Sequence, residues 1–210
     1  MEEEKRVPSL LLNILLAQVD ETMGHRSLIM LLRQAGLDEY VDQLPPMNET
    51  PSIAVADYSD LLANVHDLFG ARGSRPIFLR AGRLGAAEMR RQRPAQLAVT
   101  GTALRFLPAA TRMRLVLERL VQQGEDLYGN PHHLHEEEAA FFVEMEDCPF
   151  CAEIARRARA AGKAIARPVC HIPASIIEET IEWATGQKRL VEETACVATG
   201  DATCLFRIAR

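Results

Sequence analysis

The sequence predicts an α+β fold, with helices first and an antiparallel sheet last. Two observations carry that prediction. Apolar residues recur at helical spacing from residue 8 to about 128. After Gly129-Asn130-Pro131 the spacing becomes an alternation of Ala139, Phe141, Val143 and Met145 with other positions, the period of a strand. The chain accordingly divides into a flexible N-terminus at 1–7, a helical part at 8–130 and a sheet-bearing part at 131–210, all in one continuous domain.

Each element follows from local signals. Pro8 suits the first turn of a helix, and Leu10, Leu11, Ile14 and Leu15 mark its apolar face. Gly24 interrupts that helix, a second runs to Arg33, and Gly36 ends it. Prolines at 45, 46 and 51 make a loop. Further helices are expected over 57–69, 74–92, 96–106 and 109–128. The strand that includes 139–145 ends at Cys148-Pro149, and a short helix covers 150–161. Ile172, Ile176, Thr180 and Trp183 form one face of another helix, with Glu178, Glu179 and Glu182 opposite and Gly186 as its stop. Strands at 187–198 and 202–209 close the chain around a Thr199-Gly200-Asp201 turn.

Composition narrows the function classes. At 48% hydrophobic and 25% charged residues, the 210-residue chain can build a globular core. A net charge of −5 without a basic tail argues against a nucleic-acid partner. The apolar run Leu10 to Val19, broken by Asn13 and Gln18, is too short to span a membrane. The start Met-Glu-Glu-Glu-Lys-Arg is not a signal peptide. Five cysteines, an odd number and all in the last third, argue against a disulfide framework. The expectation is a cytoplasmic protein whose thiols serve metal or redox chemistry.

Cys196 and Cys204 are symmetric about Gly200, which predicts cross-strand neighbours with Cβ atoms roughly 4.5–5.5 Å apart. Two converging thiols suit zinc, and unligated core cysteines are the alternative. Cys148-Pro149-Phe150-Cys151 follows a strand and opens a helix, where a thiol pKa falls. Cys148 and Cys151 are therefore redox candidates, with a structural role as the alternative. His133 and His135 share strand parity with Phe141 and are candidates to face a ligand. Arg80, Arg83, Arg90 and Arg91 fall within an arc of about 100° on one helix and could meet ligand carboxylates or simply be solvated.

From Pro168-Val169-Cys170, through Trp183 and Gly186, to Val191-Glu192-Glu193-Thr194-Ala195-Cys196 and Ala202-Thr203-Cys204-Leu205-Phe206, the last forty residues resemble the 4-vinyl reductase domain. Gly82-Arg83 adds a looser likeness upstream. The family includes a bacteriochlorophyll-biosynthesis protein and the sensor domains of phenol- and toluene-responsive activators. The resemblance implies a fold similar to small vesicle-tethering subunits, and a homodimer. It implies a zinc site at Cys170, Glu193, Cys196 and Cys204. A straight strand would turn Glu193 and Cys196 to opposite faces, so a bulge near Thr194-Ala195 is expected. Glu192 is expected in solvent, and His171 is a substitute ligand.

No dinucleotide fingerprint follows a strand, and there is no P-loop or nucleophile elbow. A self-contained nicotinamide-dependent reductase is thus disfavoured. The expectation is a protein that binds a small hydrophobic ligand, foremost a tetrapyrrole intermediate, with Phe141, His133, His135, Arg80 and Arg83 around it. A sensor of aromatic effectors, a 4-vinyl reductase and a thiol oxidoreductase are the alternatives.

Overall fold

Pro8 has φ −59° and stands just ahead of the first helix, where its missing amide costs nothing. In the computed structural model, which describes residues 4–92 and 106–210, it also ends a short strand. That strand, β1 (Arg6–Pro8), pairs antiparallel with β2 (Pro51–Ala54). Residues 6 and 7, expected in a flexible N-terminus, are thus in a strand, and Val7 is fully buried. Helix α1 (Ser9–Met23) buries Leu10, Leu12, Leu15, Leu16 and Val19 completely. The surplus apolar surface from which the sequence argued for a second copy is covered within the chain. Gly24, at φ 83°, breaks the path before α2 (His25–Gln34).

Helix α3 (Val55–Arg91) bends at Gly70, whose φ of 68° and ψ of 172° lie outside the helical region. This is the division that the sequence placed between 57–69 and 74–92. The helix expected over 96–106 lies, but for its last residue, outside the described residues. Helix α4 (Ala109–Tyr128) follows.

A four-stranded antiparallel sheet closes the chain in the order β3-β4-β6-β5. Its members are β3 (His132–Glu136), β4 (Ala140–Met145), β5 (Val191–Ala195) and β6 (Cys204–Ala209). Two helices lie between β4 and β5: α5 (Ala152–Ala160) and α6 (His171–Thr185). The α+β prediction holds, although β5 and β6 are shorter than expected. Among the described residues no helix is long and apolar enough to cross a membrane.

Two contacts fix the helices that carry the site. Arg157 of α5 donates to Asp60 Oδ1 at 2.9 Å, Asp67 Oδ2 at 3.0 Å and Asn64 Oδ1 at 2.7 Å, all on α3. Helix α6 meets α3 at Gly82, where any Cβ would collide with Ser175 Oγ and the Ile172 carbonyl oxygen. A backbone atom cannot swing aside, so Gly82→Ala must push the helices apart. We expect a loss of about 1–3 kcal/mol. Urea unfolding of the variant should show a lower midpoint with an unchanged slope.

Candidate metal centre and apolar cavity

Five thiols meet where α5, α6, β5 and β6 converge. Asp147, at φ 43°, turns the chain after β4 so that Cys148 and Cys151 point inward. The Cys148 carbonyl accepts from Ala152 N–H at 3.0 Å, and Cys151 caps α5. Cys170 caps α6, and Cys204 opens β6 opposite Met145. Cys196 sits at the foot of a 3-10 turn (Val197–Thr199), where its N–H donates to Asp201 Oδ2 at 2.9 Å. All five thiols are free and buried.

The sulfurs are in contact. Cys170 Sγ lies 3.6 Å from Cys204 Sγ and 3.9 Å from Cys196 Sγ, and Cys196 to Cys204 is 4.0 Å. Metal–sulfur bonds of 2.3 Å in a tetrahedron place sulfurs about 3.8 Å apart. This triangle therefore has the size of one tetrahedral face. Glu193 approaches it from β5. The register shifts between Glu193 and Ala195, as the bulge expectation required, so the carboxylate and Cys196 turn to the same place. Glu193 Oε2 accepts from Cys170 N–H at 2.9 Å, and Oε1 is buried without a partner. Two sets of donors could each hold a metal ion: Cys170, Glu193, Cys196 and Cys204, and Cys148, Cys151, Cys170 and Cys204. The first is the set the sequence expected. Glu192 is exposed opposite Arg207, and His171 belongs to neither set.

The electrostatics depart from the redox expectation. Contacts with Cys151 and Cys170 favour the Cys148 thiolate, but Cys204 and burial outweigh them, and its pKa rises. Burial pushes the Cys170 thiol well up. The Cys196 and Cys204 thiols fall to about 6, Cys196 chiefly through Cys151 and Cys204 chiefly through Cys148. Burial, then the neighbouring Cys196, raises the Glu193 carboxyl to about 9. A cation would reverse that last shift by favouring the carboxylate.

On the other side of α6 lies an apolar cavity of about 490 Å³. Met89 of α3, Leu120 and Gly124 of α4, Ile176 of α6, and Val143 and Met145 of β4 form its walls. The sequence expected His133 and His135 there, but the register decides otherwise. His133 pairs with Glu144 and His135 with Phe142, and cross-strand partners share a face. The turn thus pairs odd with even positions, and His132, opposite Met145, takes the inward face. His133 and His135 are exposed and bond to Glu146 and Glu144 at 3.1 and 2.8 Å. Phe141 is fully buried in the core and does not line the cavity. Arg80 and Arg83 pair with Glu21 and Glu178 at 3.0 and 3.2 Å outside it.

His132 is the polar feature that sequence reading missed. Its Nδ1 lies 2.8 Å from the Asn130 carbonyl oxygen, which can only accept, so Nδ1 carries the hydrogen. Burial lowers the pKa and keeps the ring neutral. Nε2 then presents a bare lone pair, with no hydrogen-bond partner among the described residues. A Cβ at Gly124 would lie 2.6 Å from it, so the glycine leaves that nitrogen open. A glycine inside an otherwise helical run was the one available signal.

Burial and raised pKa values make a specific prediction for the thiols. Alkylation of the native protein at neutral pH, followed by peptide mapping, should not label Cys148 ahead of the other four. Selective modification of Cys148 would contradict this arrangement.

The comparisons agree with this arrangement. The family model of the 4-vinyl reductase domain matches residues 141–210. No curated protein sequence matches the chain. Among solved structures, the phenol-responsive sensory domain of the transcription activator PoxR with phenol is 18% identical. The match covers 77% of this chain and 78% of that one, at a TM-score of 0.51. An H-NOX protein from S. oneidensis in the Fe(II)NO ligation state is 12% identical, with 96% and 97% covered and a TM-score of 0.54. A triple mutant of an S. oneidensis H-NOX protein in the Fe(II) state is 10% identical, with 96% and 95% covered and a TM-score of 0.55. At such identities the likeness is one of fold. The chain carries a 4-vinyl reductase domain at residues 141–210, the family that its C-terminal cysteine pattern resembles.

Proposed function

We propose that this protein is a sensor module that binds a small hydrophobic ring compound in the cavity between α3, α4, α6 and the sheet. The observation that carries the reading is the cavity itself, apolar on nearly all sides with one bare acceptor, His132 Nε2. Its volume of about 490 Å³ is within the usual range for small-molecule sites. A hydroxylated aromatic fits that chemistry, because its ring takes the apolar walls and its O–H donates to Nε2. The PoxR domain, whose structure holds phenol, lends support through fold alone.

A second reading rests on Arg90 and Arg119, which also line the cavity. Arg90 Nη1 is buried without a partner. Two guanidiniums could take the carboxylates of a tetrapyrrole intermediate, with His132 Nε2 against its metal. In that case the chain binds the pigment, and reduction of a vinyl group needs a separate electron donor.

The cysteine cluster would fasten the fold. Three thiolates and one carboxylate fill a tetrahedron, which is the closed arrangement of a structural zinc. The orphaned Glu193 Oε1 fits that assignment.

Titration with phenol and with a vinyl chlorophyllide, followed by the emission of Trp183 at the cavity, separates the two readings. His132→Ala should weaken phenol binding about tenfold, the loss of one hydrogen bond of about 1.4 kcal/mol. Gly124→Ala should weaken it as well, because the new methyl displaces the imidazole. Unchanged affinity in both variants, or no binding of either ligand, would refute the reading.

Binding should also depend on pH through His132. The lowered pKa keeps Nε2 bare to below the ordinary value of 6.5, so affinity should be flat from pH 8 to 6.5 and fall on further acidification. The same shift acts on stability. The unfolded chain takes the proton near 6.5 and the folded one only at lower pH. The contribution is therefore full above 6.5 and is lost as pH falls toward the folded pKa. Affinity that rises on acidification would contradict the acceptor role.

A further inference from the structure

The zinc reading leaves Cys148 and Cys151 without a role, although both touch the proposed ligands. Cys148 Sγ is 3.7 Å from Cys170 Sγ, and Cys151 Sγ is 3.4 Å from Cys204 Sγ. Together these four sulfurs form a second donor set, all buried. The two sets have Cys170 and Cys204 in common and nothing else. Six donor groups so arranged describe two tetrahedra that share an edge.

We propose that the cluster is a binuclear zinc–thiolate centre. Cys148 and Cys151 hold one ion, Glu193 and Cys196 hold the other, and the thiolates of Cys170 and Cys204 bridge the pair. The proposal extends the structural-zinc reading of the same cluster and rests on it.

Three observations favour two ions over one. The shared pair at 3.6 Å matches the edge of a tetrahedron with 2.3 Å metal–sulfur bonds, about 3.8 Å. Each half of the cluster is then a complete set of four ligands, whereas one ion would leave two donors idle in either arrangement. The charge also balances. The second ion adds two positive charges, and the release of the Cys148 and Cys151 protons adds two negative ones. The buried net charge is therefore the same as with one ion, and no new charge is stranded in the core.

The chemistry selects the metal class. Sulfurs in van der Waals contact leave no room for the sulfide core of an iron–sulfur cluster. The Glu193 oxygen suits zinc better than copper(I), which prefers thiolates alone. Two helix N-termini, capped by Cys151 and Cys170, and the Val197 N–H, 3.5 Å from Cys204 Sγ, favour the anionic sulfurs.

The test uses the full chain, purified under reducing conditions. Elemental analysis should give two zinc ions per chain. Cobalt(II) titrated into metal-free protein should raise sulfur-to-metal charge-transfer absorption up to two equivalents. Over the first equivalent the high-spin cobalt electron paramagnetic resonance signal should rise. Over the second it should fall, because bridging thiolates couple the two ions. Combined Cys148→Ser and Cys151→Ser substitution should lower the stoichiometry from two to one with the circular dichroism unchanged. Saturation at one equivalent that is sensitive to Glu193→Gln would overturn the binuclear centre and keep the single structural zinc. Two equivalents with additive resonance signals would show separate sites and overturn the bridge. No metal at all would overturn both readings.

Discussion

The hydrogen bond from Cys170 N–H to Glu193 Oε2, at 2.9 Å, joins the head of α6 to the edge strand β5. Much of the molecule depends on that junction. The bulge between Glu193 and Ala195 brings the carboxylate to the Cys170 amide, and the same bulge lets Cys196 turn inward. Without it, a straight strand would send one of the two side chains into solvent. The junction therefore sets the geometry of the thiols and holds the sheet against the helix.

Helix α6 has two tasks. Its first residues stand over the cysteine cluster, and its middle turns wall the cavity with Pro173, Ile176 and Thr180. A change at the cluster must reach the cavity through this one rigid element. Against α3, the same helix is seated at Gly82, where only a hydrogen fits. The helix is thus held at its N-terminus by sulfur chemistry and along its length by close packing. Such a wall is pre-organised, which lowers the entropy that a bound ligand would have to supply.

The cavity and the cluster differ in electrostatic character for the same physical reason, burial. In the cavity, burial keeps His132 neutral and leaves a single lone pair as its polar feature. In the cluster, burial concentrates thiols and a carboxyl that resist ionisation until a cation compensates them.

Much of this was legible in the sequence, and the limits are physical. Periodicity placed the helices and the closing sheet, because burial patterns of period 3.6 and 2 are local properties. The metal set Cys170, Glu193, Cys196 and Cys204 came from a motif whose members lie on one compact stretch of chain. The same local reasoning failed for His133 and His135. Parity along one strand does not carry through a turn, and the β3–β4 register gave the inward position to His132. It failed again for Cys148 and Cys151, whose position beside a helix start suggested a reactive thiol. Only packing shows that they are buried against Cys170 and Cys204. The sequence by itself determined the elements and the donor types. Which side chains face one another was decided by the tertiary structure, because register, bulges and helix approach depend on contacts between residues far apart in the chain.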